Sequence, residues 1–516
     1  MTWNYQFTNS LDQPSKKTEF ALLFIGRGSN YISPSGRVVN NDANNMVHLG
    51  EAQVTIDNVR ITPQRWSVNF GGFSIEIVGD LRPFKGSPWQ RGSIAELYMR
   101  RNDIHIERVA IGQLRTVSGG RGKWRFEFGD ILSAMASRLT SAKNQLSYYY
   151  DVGTTTEVRV NYDFAADPNL YVKNATIFQK ETPGSGMIRV NRAGTVGYYL
   201  WSAVIITNSP SANNGYLVIT DTGTWPATAN QNTLNIDDEI THLALLKDRP
   251  DHIFAKTIMS SGDLSQGSFD TYPESWGSGF YWSNNLIDST DMNLWQTSWE
   301  TASGTYEFQL VVEDYEQSGI RYLLSKFLQV GMWPVFRQNA LSWRVCQDPN
   351  TANPNTLSVH IYDRDIQSVD SHQIYSPAQS SVYTTSFIVV STASGTKETY
   401  GDFRNTINSM PCDQEITRDN RYIYRIDSPI QQIKAQADRK RLKAWDLYTW
   451  EELVLSVSER FAGLVAGDII QITASMIYGW GEAEGKTYNS KRGMILGNRW
   501  HPNQSKCILT IGIITK

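Results

Sequence analysis

The chain has 516 residues, a length that indicates several domains rather than one. Its 48 Lys and Arg residues nearly balance its 51 Asp and Glu residues, so no overall field attracts duplex nucleic acid or anionic lipid. Hydrophobic residues make up 40% of the chain, yet no stretch approaches the roughly 18 apolar residues of a membrane helix. The sequence therefore predicts neither a membrane-spanning protein nor specific nucleic-acid recognition, and its first residues lack the pattern of a Sec-type signal.

Aromatic and turn-forming residues are abundant, with 25 Tyr, 16 Trp and 38 Gly. Aromatic side chains pack well on pleated sheets, and Gly closes turns, so this composition favours strands. We predict a mainly β, multi-domain protein made of several small β-barrel or sandwich domains with two or three short helices. The expected domains are an N-terminal barrel-like domain (1–144), an inserted β-domain with a short helix and a Trp/Gly-rich loop (145–305), a strand-helix-strand α+β domain (306–427), and a helix with a C-terminal barrel-like domain (428–516).

Alternation of apolar and polar residues marks strands in the first domain. In the sequence RWSVNF, the residues Trp66, Val68 and Phe70 share one face of a predicted strand. The segment 94–114 predicts two strands joined near Asn102, and further strand patterns occur at 20–26, 52–62 and 123–132.

The second domain begins with strand-like pieces between polar turns, and its pattern changes after residue 245. Pro250 occupies a suitable first position for a short helix, because its fixed φ fits the first turn and its missing N–H costs nothing there. A loop rich in Trp and Gly follows at 269–288, and it contains Trp276 and Trp282, which are candidate interface residues.

An apolar stripe with helical spacing follows the strand predicted at 306–314. It predicts a helix packed between that strand and two more at 332–345, with the stripe formed by Ile320, Leu323, Leu324, Phe327 and Leu328.

A second amphipathic helix is predicted from Ser428, a good N-cap residue, with Pro429 in the first turn. Its apolar positions should pack on strands at 452–475 and 494–514, closing a small barrel; they are Ile430, Ile433, Ala437, Ala444 and Trp445. Its basic side chains Arg439, Lys440 and Lys443 would then face outward. They form either an interface for an acidic neighbouring subunit or a solvated helix flank.

The sequence predicts no catalytic, cofactor-binding or metal residues. The seven His residues include no HxxxH or HExxH pair, and the three Cys residues 346, 412 and 507 lack CxxC spacing, so we expect them to be buried small hydrophobes. Asp363 and Asp365 lack the rest of a calcium loop and are predicted to be solvated turn acids. The string SGGRGKW lacks the Walker spacing and predicts a hairpin turn.

Two other functional classes remain open at this point. Glu274 with Asp288 or Asp291, beside Trp residues, could form a carboxylate pair for glycoside hydrolysis, as in a cell-wall hydrolase. Exposed aromatics between 195 and 300, including Trp276 and Trp282, could stack on sugar rings, as in a host glycan-binding adsorption protein. Loop acids beside packing aromatics, and aromatics in the core, are the structural alternatives.

Three passages carry a resemblance to a known family. They are the tract 249–292, the strand-helix-strand segment 306–345, and the C-terminal helix with its following strands, where Gly467 and Asp468 match a turn that opens a barrel strand. The order of these segments resembles the baseplate hub, or tail-tip hub, proteins of long-tailed bacteriophages and related gene transfer agents.

The resemblance implies a structural virion protein without enzymatic activity. Two barrel-like domains per chain would assemble as a homotrimer that adapts the six-fold tail tube to a three-fold central fibre or spike during tail assembly and DNA delivery. Implied partners are other copies of the chain, the distal tail protein ring, the tape-measure protein and the central fibre or spike protein. Implied locations are the virion tail and, during assembly, the host cytoplasm. Some relatives hold an iron–sulfur cluster on four C-terminal cysteines, but the three dispersed cysteines here do not match, so no cofactor is expected.

Overall fold

The protein is mainly β, as its composition predicts, with several sheets and few helices. A computed structural model describes residues 3, 5–11, 18–24, 47–50, 52–63, 67–78, 91–101, 105–120, 122–130, 154–163, 166–178, 186–192, 195–219, 233–259, 288–300, 308–312, 324, 327–328, 331–337, 340–351, 357–375, 382–390, 397–400, 405–406, 415–420, 445, 449–479 and 487–515. Over these residues, no helix has the length and apolar character required to cross a membrane.

The N-terminal strands follow a short helix, α1 (Tyr5–Ser10). They are β1 (Thr18–Phe24), β2 (Val47–Gly50), β3 (Gln53–Asp57), β4 (Arg60–Thr62), β5 (Ser67–Asn69), β6 (Gly72–Val78), β7 (Ile94–Arg101), β8 (His105–Gly120) and β9 (Lys123–Asp130). The predicted pair of strands in 94–114 is confirmed as β7 and β8, and the string SGGRGKW is confirmed as the β8–β9 hairpin.

These strands close an N-terminal barrel. Hydrogen-bonded neighbours run in the order β2, β1, β7, β8, β9, β6, β3. Only two residues separate β2 from β3, so these two segments act as one bent strand that pairs with β1 at one end and with β6 at the other. The interior is filled by alternate apolar side chains such as Phe20, Leu97 and Phe126.

The middle of the chain forms a separate sheet with its own core. The strands of this region are β10 (Thr155–Glu157), β11 (Tyr162–Asp163), β12 (Asn169–Val172), β13 (Gly186–Arg192), β14 (Thr195–Ile206), β15 (Gly215–Ile219), β16 (Thr233–Leu234) and β17 (Glu239–Asp248). Strands β11 and β16 pair with each other as a small two-stranded sheet. Helices α2 (Pro250–Met259) and α3 (Ser289–Glu300) follow, then β18 (Phe308–Val312), which pairs with β17. The start of α2 at Pro250 is as predicted.

The remaining strands are β19 (Met332–Arg337), β20 (Ala340–Val345), β21 (Leu357–Tyr362), β22 (Ile366–Tyr375), β23 (Val382–Val390), β24 (Lys397–Tyr400), β25 (Asn405–Thr406), β26 (Glu415–Asn420), β27 (Trp450–Ser458), β28 (Ile469–Tyr478), β29 (Thr487–His501) and β30 (Lys506–Ile514). Strands β19 and β20 form a hairpin, and β23 to β26 form a small sheet.

A C-terminal barrel is closed by the second bent strand of the chain, β21 and β22. Strand β21 pairs in parallel with β28, whereas β22 pairs antiparallel with β27 on the other side. The circuit continues from β28 through β29 and β30 back to β27. These pairings cross the predicted boundary between 306–427 and 428–516, while the four-domain division stays a prediction.

The two barrels repeat one strand order. In each, a bent strand pairs with a following strand (β3 with β6, β22 with β27), and a three-stranded meander (β7–β8–β9, β28–β29–β30) returns to that strand. Strand β1 is extra: it lies between β2 and β7, whereas β21 contacts β28 directly.

Details of the meander also repeat. Gly92 and Gly467 both have positive φ, +93° and +105°, and each lies two residues before the first residue of the strand that opens the meander. The Gly92 N–H donates to the Leu114 carbonyl, and the Gly467 N–H donates to the Ile495 carbonyl, each at 2.8 Å. A bulge follows each acceptor, between Leu114 and Thr116 in β8 and between Ile495 and Gly497 in β29. The two barrels therefore share one topology, and these matching features identify which residues of β8 and β29 are equivalent.

The two predicted amphipathic helices are described at a few positions, and these agree with the prediction. Leu324, Phe327 and Leu328 are helical and buried, and Phe327 meets Trp343 of β20 edge-on with ring centroids 5.4 Å apart. Trp445 is helical and packs over Gly512, where a Cβ atom would lie 2.7 Å from its ring. The other apolar positions predicted for these helices lie outside the described residues, as does Trp66.

Candidate functional site

The residues predicted as an interface are not among those that the structure describes. Arg439, Lys440 and Lys443 of the basic flank, and Trp276 and Trp282 of the Trp/Gly-rich loop, all lie outside the described ranges. They stay predictions. The described residues instead reveal two features that sequence patterns did not indicate, a seam between the barrels and a buried charge network.

The barrel seam is formed by β3 of the N-terminal barrel and residues 498–500 of β29. Asp57 pairs with Arg499 and Ile56 with Trp500 in antiparallel register, and the Asn58 N–H donates to the Asn498 carbonyl at 2.9 Å. The side chains of Arg499 and Asp57 add an ion pair. Through this seam the two barrels share one continuous sheet.

A buried ion pair lies beside the seam. Arg101, the last residue of β7, donates a hydrogen bond to Glu459, which begins a short 3-10 turn after β27. Both side chains are only 2% exposed. Trp500 Nε1 donates to the second Glu459 oxygen at 3.3 Å, so both carboxylate oxygens have donors.

Burial changes the titration of this pair. Loss of water raises the pKa of Glu459 to about 7, although the Arg101 charge opposes the rise. Burial also lowers the pKa of Arg101, again against the attraction of its partner. Replacing either member alone would leave a buried charge without its counter-ion.

A cleft opens where the seam meets the N-terminal residues. Trp3 packs on Trp500 with ring centroids 5.6 Å apart, and its Nε1 donates to the Arg108 carbonyl at 3.1 Å. Asp57 and Asp130 also line the cleft. The segment before β1 thus helps to fix the junction between the barrels.

The second feature is a charge network around Arg344 of β20. The Arg344 side chain is fully buried; its Nε donates to Asp468 at 2.9 Å and its Nη1 donates to Asp291 at 2.6 Å. Its guanidinium also lies over the Trp295 ring, 4.6 Å from the centroid. Helix α3, the β19–β20 hairpin and the turn before β28 are thereby joined at one side chain.

The carboxyl group of Asp291 is held ionised by its arginine neighbours. Burial alone would raise the pKa of Asp291, but the charges of Arg344 and Arg337 outweigh it and lower the pKa. Burial likewise opposes ionisation of Arg344, yet Asp468 and Asp291 together raise its pKa. Asp468 also accepts a hydrogen bond from the Val465 N–H at 2.9 Å, which fixes the turn that opens β28.

These contacts bear on the carboxylates considered for hydrolysis. Asp291 is already bound by Arg344, Arg337 and Ser342, and Asp288 accepts a hydrogen bond from the Asp291 N–H at 3.0 Å at the start of α3. Their contacts give both carboxylates structural roles, whereas Glu274 lies outside the described residues.

Aromatic residues of the middle sheet are largely core residues where they are described. Tyr162, Tyr199 and Trp201 are buried, and the half-buried Tyr171 and Tyr216 pack on each other with centroids 5.3 Å apart. The aromatic content that suggested sugar stacking is accounted for here by packing.

The expectation for Asp365 was wrong. It is buried, accepts the Tyr362 N–H at 2.9 Å and pairs with Arg460 at 2.6 Å, because the 3-10 turn at the bend between β21 and β22 faces the barrel. Asp363 accepts the Ser475 N–H at 2.8 Å. Within the described part of the chain, no group of three or more His, Cys, Asp or Glu residues is arranged to hold a metal ion.

Comparisons with known proteins find similarity in structure only. Neither a protein-family profile nor a curated protein sequence matches the chain. A tail protein from Neisseria meningitidis is 10% identical, with TM-score 0.37 over 97% of both chains. A prophage tail protein from Listeria monocytogenes is 8% identical, with TM-score 0.36 over 96% of this chain and 94% of that one. A Francisella PdpA-VgrG complex is 9% identical, with TM-score 0.34 over 99% of this chain and 60% of that one. Each of these TM-scores is below 0.5, so function is inferred from the geometry of the chain itself.

Proposed function

We propose that the protein is a structural component of a phage-type tail and forms its homotrimeric baseplate or tail-tip hub. The observation that carries this proposal is the repeated barrel: one chain contains two closed barrels of the same strand order, joined edge to edge. Three chains would place six similar barrels in a ring. Such a ring offers six related positions to a six-fold tube and three chain-specific positions to a central fibre or spike.

The character of the described residues supports a structural role. The buried charges join separate elements of the fold, as Arg344 joins α3, β20 and the turn before β28. We therefore propose that the protein is not an enzyme, and we expect the purified chain to hydrolyse neither peptidoglycan nor nucleotides. The proposed partners are other copies of the chain, the distal tail protein ring, the tape-measure protein and the central fibre or spike protein.

The hub proposal can be tested on assembled tails. We would fuse a small tag to the chain, purify tails, and locate and count the tag by electron cryomicroscopy with averaging along the tail axis. Three copies at the tail tip, arranged with three-fold symmetry, are expected. Absence of the chain from the particle, or six equivalent copies in it, would overturn the proposal.

A further inference from the structure

In the described parts of the chain, each barrel has one strand edge with no neighbouring strand. The equivalent edge of the other barrel is paired in the seam. On the N-terminal barrel, the outer edge of β3 is covered by β29. The equivalent strand of the C-terminal barrel is β22, and no strand pairs with its outer edge in the described parts of the chain. Most of β22 is exposed, including Val369 and Ile374.

The complementary edge lies on β8. Strand β7 pairs with β8 only as far as Gln113, so residues 116–120 extend beyond it, paired with β9 on one side. In β29, the equivalent extension beyond β28 is the part that pairs with β3. Residues 116–120 of β8 are all exposed.

The parts of the two edges that would pair carry few of the features that usually prevent edge pairing. Natural edge strands are commonly protected by Lys or Pro, by a bulge or by a covering segment. The sequence of β22, IQSVDSHQIY, contains no Lys, Arg or Pro, and its one acidic residue, Asp370, and its two bulges all lie before residue 372. Residues 116–120 of β8, TVSGG, contain no charge. Exposed apolar side chains lie on both edges, Ile374 at 42% and Val117 at 41% exposure.

The structure assigns these two edges to each other: we infer that β22 of one chain pairs antiparallel with residues 116–120 of β8 in a second copy. This inference rests on the proposed trimer and adds the interface that would build it. Because the two edges are different surfaces, the contact is head-to-tail, and such contacts generate a closed ring when the rotation between copies permits.

The register follows from the equivalent pairings within the chain. Through β9 and β30, Leu114 corresponds to Ile495, so Val117 corresponds to Asn498. Through β6 and β27, Ile56 corresponds to His372, because Phe73 and Leu453 pair with the equivalent residues Phe128 and Ile511.

In this register, Ile374 is equivalent to Asn58 and Val117 is equivalent to Asn498, which contact each other in the seam. Ile374 of one chain is therefore placed opposite Val117 of the next chain in the ring. The two exposed apolar residues meet, and their flanking pairs are Gln373 with Ser118 and His372 with Gly119. A charge at either position would be placed against an apolar side chain and lose water, which is unfavourable.

The first test uses Val117→Asp and Ile374→Asp, each measured as the full chain by light scattering after size exclusion. Wild type should be trimeric, and each variant alone should be monomeric. Mixing the two should give a one-to-one dimer, because one intact edge remains on each chain and the ring cannot close. Val160→Asp, at a valine of similar exposure in the bend between β10 and β11, is the matched control and should remain trimeric.

A second test reads the register directly. Opposed residues on antiparallel strands have Cα atoms about 4.5 to 5.5 Å apart, within the range for a disulfide. In a Cys412→Ser background, mixing Val117→Cys chains with Ile374→Cys chains should give a covalent dimer on mild oxidation, whereas a mixture of Val160→Cys and Ile374→Cys chains should not.

The outcomes separate this inference from the hub proposal. Trimeric wild type with trimeric edge variants and no cross-link would overturn the edge pairing and leave the hub standing. Wild type that stays monomeric at its highest soluble concentration would also overturn the edge pairing, while the count of copies in assembled tails decides the hub.

Discussion

Arg101 and Glu459 form a buried ion pair across the two barrels, although 358 residues separate them in the chain. Arg101 ends the strand β7 of one barrel, and Glu459 begins the turn after β27 of the other. A second contact of Arg101, a hydrogen bond to the Pro502 carbonyl at 3.4 Å, reaches the β29–β30 hairpin. The packing of the barrels against each other therefore includes a contact between an arginine and a glutamate that are both removed from water.

Glu459→Gln should change how stability depends on pH. Burial raises the pKa of Glu459 from 4.5 to about 7, so between these values the folded protein holds a proton that the unfolded chain releases. The contribution of Glu459 to stability is thus fully present below pH 4.5 and falls as the pH rises towards 7. The difference in unfolding free energy between wild type and variant, measured by urea denaturation, should decline across this window and level off above it. A constant difference would show that Glu459 titrates normally.

Asp291→Asn should strongly destabilise the protein, because it leaves the buried Arg344 with only Asp468 as counter-ion. Breaking one side of a buried pair typically costs about 3 to 5 kcal/mol. Asp57→Asn is the comparison, since it removes an ion pair whose side chains are 43% and 56% exposed, and such pairs contribute about 0.2 to 1 kcal/mol. Denaturant midpoints of the two variants should differ clearly; equal midpoints would mean that the Arg344 network contributes little.

Phe327→Ala should cost roughly 3 to 5 kcal/mol of unfolding free energy and lower the folded yield, because it removes a fully buried ring that packs on Trp343. Leu294→Ala is the control, since Leu294 of α3 is 56% exposed and little packing is lost. Thermal unfolding of both variants checks the prediction. A Phe327→Ala protein as stable as the control would argue against this packing.

Cys346 and Cys507 should resist thiol reagents in the folded protein. Both are fully buried, as expected from the sequence, and neither is in a disulfide; burial raises the pKa of Cys507 well above its usual value. Peptide mapping after alkylation should find both residues modified only after denaturation. Rapid native labelling of Cys507 would mean that the interior of the C-terminal barrel opens readily.

The basic flank can be tested with Arg439→Glu combined with Lys440→Glu. Monomer stability should be nearly unchanged, since exposed pairs contribute about 0.2 to 1 kcal/mol each. Tail assembly, measured as the yield of infectious or DNA-filled particles, should fall if an acidic neighbour binds this flank. Normal tail assembly with the folded variant would show that the basic flank is a solvated helix surface without a role in assembly.

Local sequence patterns predicted the individual strands and helices better than the contacts between them. The alternation in 94–114 and the stripe containing Phe327 each depend on neighbouring residues, so the sequence alone was sufficient to place them. Residue patterns did not reveal that the two barrels repeat one strand order, and two barrel-like domains per chain entered only as what the family resemblance implies. The repeat lies in the order of strand pairing and in two positive-φ glycines rather than in a recurring sequence motif. Arg101 and Glu459 lie in segments without a motif, and Arg344 lies in a strand buried on both faces, so no periodicity marked them.

Strand β1 has no counterpart in the C-terminal barrel, where β21 and β28 are direct neighbours. The circumference of the N-terminal barrel is consequently larger than that of the C-terminal barrel by the spacing of one strand, about 4.8 Å. Any closed ring of these chains must alternate wider and narrower members. The rotational symmetry of the ring then equals the number of chains rather than the number of barrels. In the proposed hub, the change from six-fold to three-fold symmetry would therefore arise from the difference between the two barrels of each chain.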